Sequence, residues 1–362
     1  MGVTEKIAEI EAQMAKTQVN KATEHHLGML KAKLARLREA AEASGSKGGG
    51  GGGAFEVKKS GKPTVVFIGL PSVGKSTMLN VLTSAASKTA HYAFTTLTVV
   101  PGIMEYNGAK IQLLDLPGVI SGASKGRGKG RQVLAVARNA DLVLLIVDFK
   151  DVDYVEKLKA ELYDMGIRLD TEPPRIVIER TPRGGLTILS DKPLTHLTEK
   201  TIAAVLGEYG IHSATVNFRE NSTVDRLIDV LNPDNRRYAR SLVVITKLDL
   251  ASPQQLKKLP ADGVKIAAEK GIGIEPLKRA IYEKLALMRI YTKGRFDKVN
   301  YNEPLIMRRH AIVAELCDAL HRDLRANFKY AEVWGKSAKH PGQRVGIGHV
   351  LQDGDVVHVH NR

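Results

Sequence analysis

Nine residues, Gly69-Leu70-Pro71-Ser72-Val73-Gly74-Lys75-Ser76-Thr77, fit the pattern G-x-x-x-x-G-K-[ST] and follow the aliphatic run Thr64–Gly69. That spacing serves phosphate binding. Glycines let backbone N–H groups converge on phosphate oxygens, and a helix starting inside the motif adds the positive end of its dipole. Lys75 supplies a point charge to the outer phosphates, and Ser76 offers a hydroxyl to Mg2+. A strand before the loop and a helix expected over 77–84 separate it from a chance glycine turn.

Three further segments, with one supporting loop, complete a nucleotide site. Ile111–Asp115 (IQLLD) delivers Asp115-Leu116-Pro117-Gly118. The carboxylate can hold a metal-bound water, and the Gly118 N–H can approach the terminal phosphate. In Tyr92-Ala-Phe-Thr95-Thr96-Leu-Thr98 one threonine can close over the metal; Thr96 is favoured, with Thr95 the alternative. Thr246-Lys247-Leu248-Asp249 follows the run Leu242–Thr246. Asp249 can accept the two N–H donors of guanine, and Lys247 can lay its stem over the base. The loop Ile266-Ala267-Ala268-Glu269 can give a backbone N–H to the guanine oxygen. In this order the four segments point to a GTP-hydrolysing switch, and Asp249 disfavours an ATPase or kinase. Val119, directly after Gly118, cannot orient the attacking water. Hydrolysis is therefore expected to be slow and to rely on Lys75, Mg2+ and backbone donors. By analogy with related GTPases K+ is a second candidate cation; Ser72 holds the loop position that often supplies Asn or Asp to it, so cation dependence stays open.

The elements that must position these groups follow from hydrophobic spacing. Thr64–Gly69, Ile111–Asp115, Leu142–Asp148 and Leu242–Thr246 read as strands of a mostly parallel sheet buried on both faces. The long interval before the last contains its own strands, Arg175–Arg180, Leu186–Ser190 and Ala214–Arg219, and helices Glu199–Glu208 and Thr223–Leu231. An inserted α+β subdomain accounts for it better than a structureless loop. Upstream, Ile7, Ile10 and Met14, then Leu27, Leu30, Leu34 and Leu37, form two helical stripes out of phase; a turn near 17–23 would make them a hairpin. Gly48–Gly53 reads as a flexible linker. Beyond Met288, a helix over 312–324 precedes β-like segments ending in HVLQDGDVVHVH. This tail holds six of the eleven histidines, but without ligands at zinc spacing they read as surface imidazoles.

At 362 residues the chain should form two to four units, and 43% hydrophobic with 26% charged residues is globular composition. Net charge, 54 Lys+Arg against 39 Asp+Glu, is +15, which suits a polyanionic partner. A single cysteine, Cys317, excludes an internal disulfide, and no apolar run is long enough to span a bilayer. Ser121–Arg138 (SGASKGRGKGRQVLAVAR) has five basic residues and no acidic one. Lys125, Arg127, Lys129 and Arg131 are candidates for contact with RNA phosphate.

Taken together, the segments IAEIEAQMAKTQVNKATEHHLGMLKAKLARLR, GLPSVGKST, YAFTTLTVVPG, AKIQLLDLPG, GRGKGRQVLAVAR, GIRLDTEPP, EYGIH, IYTKG and FKYAEVWGKSAKH give the chain a resemblance that runs nearly end to end. It resembles the Obg-like GTPases and, more closely, the developmentally regulated GTP-binding proteins of the first subfamily. The resemblance implies an α/β fold with a P-loop GTPase domain, residues 61–164 and 240–287. It implies an inserted subdomain (165–239) like the second domain of ribosomal protein S5, an N-terminal helical hairpin (1–47), a glycine-rich linker (48–60) and a C-terminal TGS domain (288–362) of β-grasp fold. It further implies a cytoplasmic factor on translating ribosomes, stabilised by a regulatory partner protein; the basic stretch 121–138 is the part expected to meet rRNA, and no membrane and no obligate oligomer is expected. An RNA-binding scaffold whose nucleotide is structural is the alternative. The chain departs from the family pattern at Thr246, where relatives have Asn, at Ala267, where they have Ser, and within Met307–Val313. One hydroxyl in place of an amide should loosen guanine binding by ~1 kcal/mol. Replacing Lys125, Arg127 and Lys129 with Ala is expected to weaken ribosome co-sedimentation and leave nucleotide affinity nearly unchanged; unaltered co-sedimentation would count against the phosphate contact.

Overall fold

The computed structural model describes residues 2–18, 20, 23–44, 62–83, 100–115, 140–294, 299 and 301–361. The described chain forms two compact units, one of residues up to 44 with 166–238, the other of 62–165 with 239–361. The glycine run, Thr95, Thr96, the 116–119 segment and the basic residues of 125–138 lie outside the described residues.

Helices α1 (Val3–Lys16) and α2 (Glu24–Ser44) form the hairpin. Asn20 and Thr23 exchange side-chain and backbone hydrogen bonds in the turn. Ile10 packs on Leu30 and Leu34, flanked by Ile7, Met14 and Leu37, so the turn brings the two stripes face to face.

Strand β1 (Thr64–Gly69) runs into the phosphate-loop motif, and α3 (Lys75–Leu82) follows. The helix begins two residues earlier than its apolar spacing suggests, which puts Lys75 and Ser76 in its first turn. Next come β2 (Val100–Tyr106), β3 (Ala109–Asp115), β4 (Leu142–Asp148) and α4 (Tyr154–Asp164). Every residue of β1 and β4 is buried, as expected of strands covered on both faces.

The interval that follows holds β5 (Ile167–Leu169), β6 (Ile176–Arg180), β7 (Leu186–Ser190), α5 (Glu199–Glu208), β8 (Ala214–Phe218) and α6 (Val224–Leu231). Consecutive strands β6 and β7 do not pair. The order is β6-β8-β7, with β8 antiparallel to one and parallel to the other. Thr198 and Thr223 cap the two helices by accepting from Thr201 N and Arg226 N. Ala32 of α2 joins the core of this subdomain, and Lys31 pairs with Asp225 at 2.7 Å. Helix α2 thus packs on the core of the insertion as well as on α1.

Strand β9 (Arg237–Thr246), α7 (Pro253–Lys258), β10 (Val264–Lys265) and α8 (Ile274–Lys284) complete the large sheet. Its order is β10-β9-β4-β1-β3-β2, with β5 pairing with β9. Strands β10, β9, β4, β1 and β3 run parallel, so their carboxyl ends emerge at one edge; β2 is antiparallel to β3. In α/β sheets that edge is where ligands bind.

The remaining sheet has the order β12-β11-β15-β13-β14, from β11 (Leu287–Thr292), β12 (Leu305–Arg308), β13 (Phe328–Trp334), β14 (Gln343–Val345) and β15 (Val356–Asn361). Its helical part is not continuous. Helix α9 (Val313–Leu320) ends at His321, whose extended backbone starts α10 (Arg322–Ala326). Val313, Leu316 and Cys317 of α9 pack on Ala331, Val333 and Val357, covering one face of the sheet. No group of three or more His, Cys, Asp or Glu able to hold a metal occurs among the described residues.

A buried ion cluster fixes the end of the insertion. Asp229 accepts from Arg168 at 2.7 and 2.8 Å and from Arg236 at 2.6 Å. Burial, and after it the charge of the same carboxylate, push the Tyr238 phenol up to about 12. Asp229→Ala strips two largely buried guanidiniums of this carboxylate and is expected to cost about 3–5 kcal/mol, the usual penalty for breaking a buried ion pair. Thermal unfolding would register it as a lowered Tm, and an unmoved Tm would mean that the cluster carries no stability.

Candidate nucleotide-binding site

The phosphate loop lies where β1 ends against β4. A Cβ on Gly69 would sit 2.2 Å from the Ile146 carbonyl oxygen, so only glycine permits the close approach. Ser72 and Gly74 take positive φ values of 61° and 90°, turning the chain into α3. The N–H groups of Gly74, Lys75, Ser76 and Thr77 have no acceptor among the described residues, which leaves them available to an anion.

Lys75 and Asp115 share the space beside this loop. The ammonium donates to the carbonyls of Gly69 at 3.0 Å and Leu70 at 2.7 Å. Burial pushes the Lys75 pKa down, while the Asp115 charge pulls it back up. Asp115, at the end of β3, is 1% exposed and accepts from the Ser76 hydroxyl at 2.9 Å. Burial raises its pKa against the opposing pull of Ser76 and Lys75. Its second oxygen, Oδ1, is buried with no hydrogen-bond partner among the described residues. A carboxylate oxygen left over beside a serine hydroxyl is a donor set that fits a hard divalent cation such as Mg2+.

The base-reading segments are tied to the phosphate loop by Thr246. This last residue of β9 lies opposite Asp148, and its Oγ1 reaches the Val73 carbonyl at 2.7 Å and the Val147 carbonyl at 3.1 Å. A hydroxyl has one hydrogen, so Val73 at the shorter distance is its main acceptor, whereas an amide could serve both. Lys247 then takes a left-handed conformation, φ 59°, and its Nζ meets Asp148 Oδ2 at 3.0 Å. Asp249 lies in the turn Leu248–Leu250, with Lys270 Nζ 3.9 Å from its carboxylate. Leu248 N–H donates to Ile266 O at 3.3 Å, joining the two base loops. Ala267 exchanges backbone bonds with Ile272, and the Ala268 N–H has no acceptor among the described residues. Helix α3 packs on the short turn Ala268–Lys270, which brings the two halves of the site together.

The residues expected from sequence therefore gather in two linked groups: 69–77 with Asp115, and 246–249 with 267–268. Asp148 and Lys270 were missed. Asp148 carried a usable signal, being an acidic residue at the carboxyl end of a buried strand, like Asp115. Lys270 had none beyond its nearness to Ala268.

This fold and site define a P-loop nucleotide-binding protein whose base-reading loops suit guanine. A family model described as 50S ribosome-binding GTPase matches residues 64–180, a model of the C-terminal region of that domain matches 183–287, and a TGS domain model matches 288–361. A GTP-binding protein of Methanocaldococcus jannaschii is 53% identical, covering 99% of this chain and 92% of that one. Developmentally-regulated GTP-binding protein 2 of Mus musculus is 45% identical over 99% of both chains. Developmentally-regulated G-protein 1 of Arabidopsis thaliana is 43% identical over 99% of this chain and 91% of its own length. The chain belongs to the developmentally regulated GTP-binding protein family. Relatives bearing the numerals 2 and 1 match at similar identity, so these comparisons carry membership in the family as a whole. No helix among the described residues is long and apolar enough to cross a membrane.

Thr246→Val keeps the shape of the side chain and leaves the Val73 carbonyl unserved. Affinity for GDP, read by titration calorimetry, is expected to fall about tenfold, ~1.4 kcal/mol; an unchanged Kd would mean that the hydroxyl does not couple the two loops.

Proposed function

We propose that the protein is a GTP-hydrolysing switch that engages ribosomes in one nucleotide state. What supports this most is the cluster of Lys75, Ser76 and Asp115 beside N–H groups that have no acceptor among the described residues, linked through Thr246 to the segment that carries Asp249. Ser76 and Asp115, with Thr96 from the segment outside the described residues, would hold Mg2+. When bound, the ion supplies positive charge to the terminal phosphates. Lys75 would orient and neutralise the outer phosphate, and the N–H groups of 74–77 would cradle the inner ones. Gly118 N–H would meet the terminal phosphate. Asp249, helped by the Ala268 N–H, would choose guanine, and Lys247, braced by Asp148, would cover one face of the base. Val119 offers no group to orient water, so turnover should be slow without a further factor. K+ beside Ser72 is a candidate for the missing positive charge.

The ribosomal side of this reading draws on the net charge of +15, the basic 125–131 stretch and the TGS domain. A cytoplasmic place and a regulatory partner protein come with the family resemblance. Pelleting with ribosomes in GDP and in a non-hydrolysable GTP analogue, with and without that partner, separates a switch from a scaffold, because a nucleotide that shifts a two-state equilibrium must be bound with different affinity by the two states. Equal pelleting in both nucleotides would support a scaffold and overturn the switch. Asp249→Asn tests base reading directly: GDP affinity should fall about a hundredfold or more, with xanthosine diphosphate gaining. Retained guanine preference would remove Asp249 from its assigned role.

A further inference from the structure

Of the strands that end the three sheets, all but one carry a device against further pairing. Strand β2 holds Pro101 and Glu105, and β10 is two residues long with Lys265. Strand β12 holds Arg308, β14 holds Arg344, and β6 holds Glu179 and Arg180. Charged side chains, proline and shortness each discourage a further strand from adding to an open edge. Strand β7, Leu186-Thr187-Ile188-Leu189-Ser190, has no charge and no proline.

The outer side of β7 is open. Ala214 N–H donates to Gly185 O and Asp191 N–H to Phe218 O, which marks the odd-numbered residues as those bonded to β8. In a parallel ladder the alternate residues, Leu186, Ile188 and Ser190, then turn their N–H and C=O groups outward. Leu186 and Ile188 keep their side chains on the core of the insertion, so Thr187 and Leu189 lie on the opposite face. Leu189 is 49% exposed there. Residues 166–238 hold ten Lys+Arg and ten Asp+Glu, so no net charge draws a polyanion to the insertion.

We propose that the β7 edge pairs with the β7 edge of a second copy of the chain, antiparallel and centred on Ile188, joining two three-stranded sheets into one. The strand is self-complementary in that register. Leu186 faces Ser190 of the other copy and Ile188 faces Ile188, so all the outward-turned residues find hydrogen-bonding partners at once. Thr187 lies across from Leu189, covering part of an exposed leucine, and no like charges oppose each other. Asp191 of each copy comes beside the turn of the other that holds Arg183. The insertion needs no partner to close its core, which packs on α2, α5 and α6. A strand of five residues falls short of the ~1,000 Å² of a lasting interface, so the pairing is reversible and concentration-dependent. It is separate from the nucleotide site and from the ribosomal reading, so failure of either leaves the other standing.

Sedimentation velocity of the full-length protein over a concentration series reads the pairing, and a shift from monomer to dimer is expected. Salt of about 0.15 M screens charges elsewhere in the chain beyond ~8 Å. The variant T187K/L189K sets lysine opposite lysine and should weaken dimerisation about tenfold or more; T187E/L189E should do the same with glutamates. Mixed one to one, the two variants should dimerise again, because opposite charges then meet. Both positions are exposed, so unchanged circular dichroism and Tm would certify folding. Register is read separately. Positions facing each other between hydrogen-bonded pairs lie ~4.5 Å apart, so T187C mixed with L189C should cross-link under mild oxidant faster than either variant alone. The native Cys317 is buried and does not interfere. A parent that stays monomeric at every concentration, which is what a strand from another protein on this edge would give, overturns the proposal. So do lysine variants that dimerise like the parent, or a mixture that gains nothing.

Discussion

The hydrogen bond from Thr246 to the Val73 carbonyl is the join on which the site depends. It connects the end of β9, which leads into Lys247–Asp249, to the turn whose N–H groups are available to an anion. Strands β9 and β1 are not neighbours; β4 lies between them, and all three run parallel. In the proposed reading a purine and its phosphates are held at both ends at once, and a shift of β9 along β4 would change the distance between Asp249 and Lys75. The register Asp148 to Thr246 and the hydroxyl bond prevent that slip. The second brace, α3 against the turn Ala268–Lys270, acts from the other side of the base loops.

Charge in the site is arranged around an unfilled demand. Asp115 is nearly wholly buried and has one oxygen satisfied, while Lys75 is turned onto two carbonyls. Burial disfavours both charges, raising one pKa and lowering the other. Sign follows directly. A carboxyl whose folded pKa is raised contributes stability that is complete below the ordinary aspartate value and is lost as pH rises through the elevated one. A divalent cation at Oδ1 would reverse that preference, because it favours the ionised form.

Much of this was legible in the sequence where one physical rule dominated. Strands β1 and β4 are buried on both faces, so their unbroken aliphatic runs marked them within a residue. The phosphate-loop spacing is dictated by backbone geometry, and glycine at 69 and 74 is required by contact and by φ. Less was legible where tertiary pairing decided. The β6-β8-β7 order could not be read from two neighbouring strands joined by Arg183-Gly184-Gly185, because β8 enters from farther along the chain. The β2 strand was passed over although Asn107-Gly108, both at positive φ, is a strong hairpin signal. The 312–324 stretch read as one helix because its apolar spacing continues through His321, where the backbone becomes extended.

Thr246 shows how a departure from a family pattern should be weighed. Counted by hydrogen-bonding groups, threonine is a poorer residue than asparagine, and a loosened base site follows. Counted by what the position must reach, the comparison is closer. The acceptor is a carbonyl of the phosphate loop 2.7 Å away, and a short β-branched hydroxyl at the end of a strand is held stiffly toward it. What threonine cannot do is serve Val147 at the same time. The cost of the substitution thus falls on the β4 carbonyl beside the site rather than on the link between base and phosphate. Ala267 fits the same account: its backbone is already engaged with Ile272, and the N–H left without an acceptor among the described residues is that of Ala268, which does not depend on the side chain at 267.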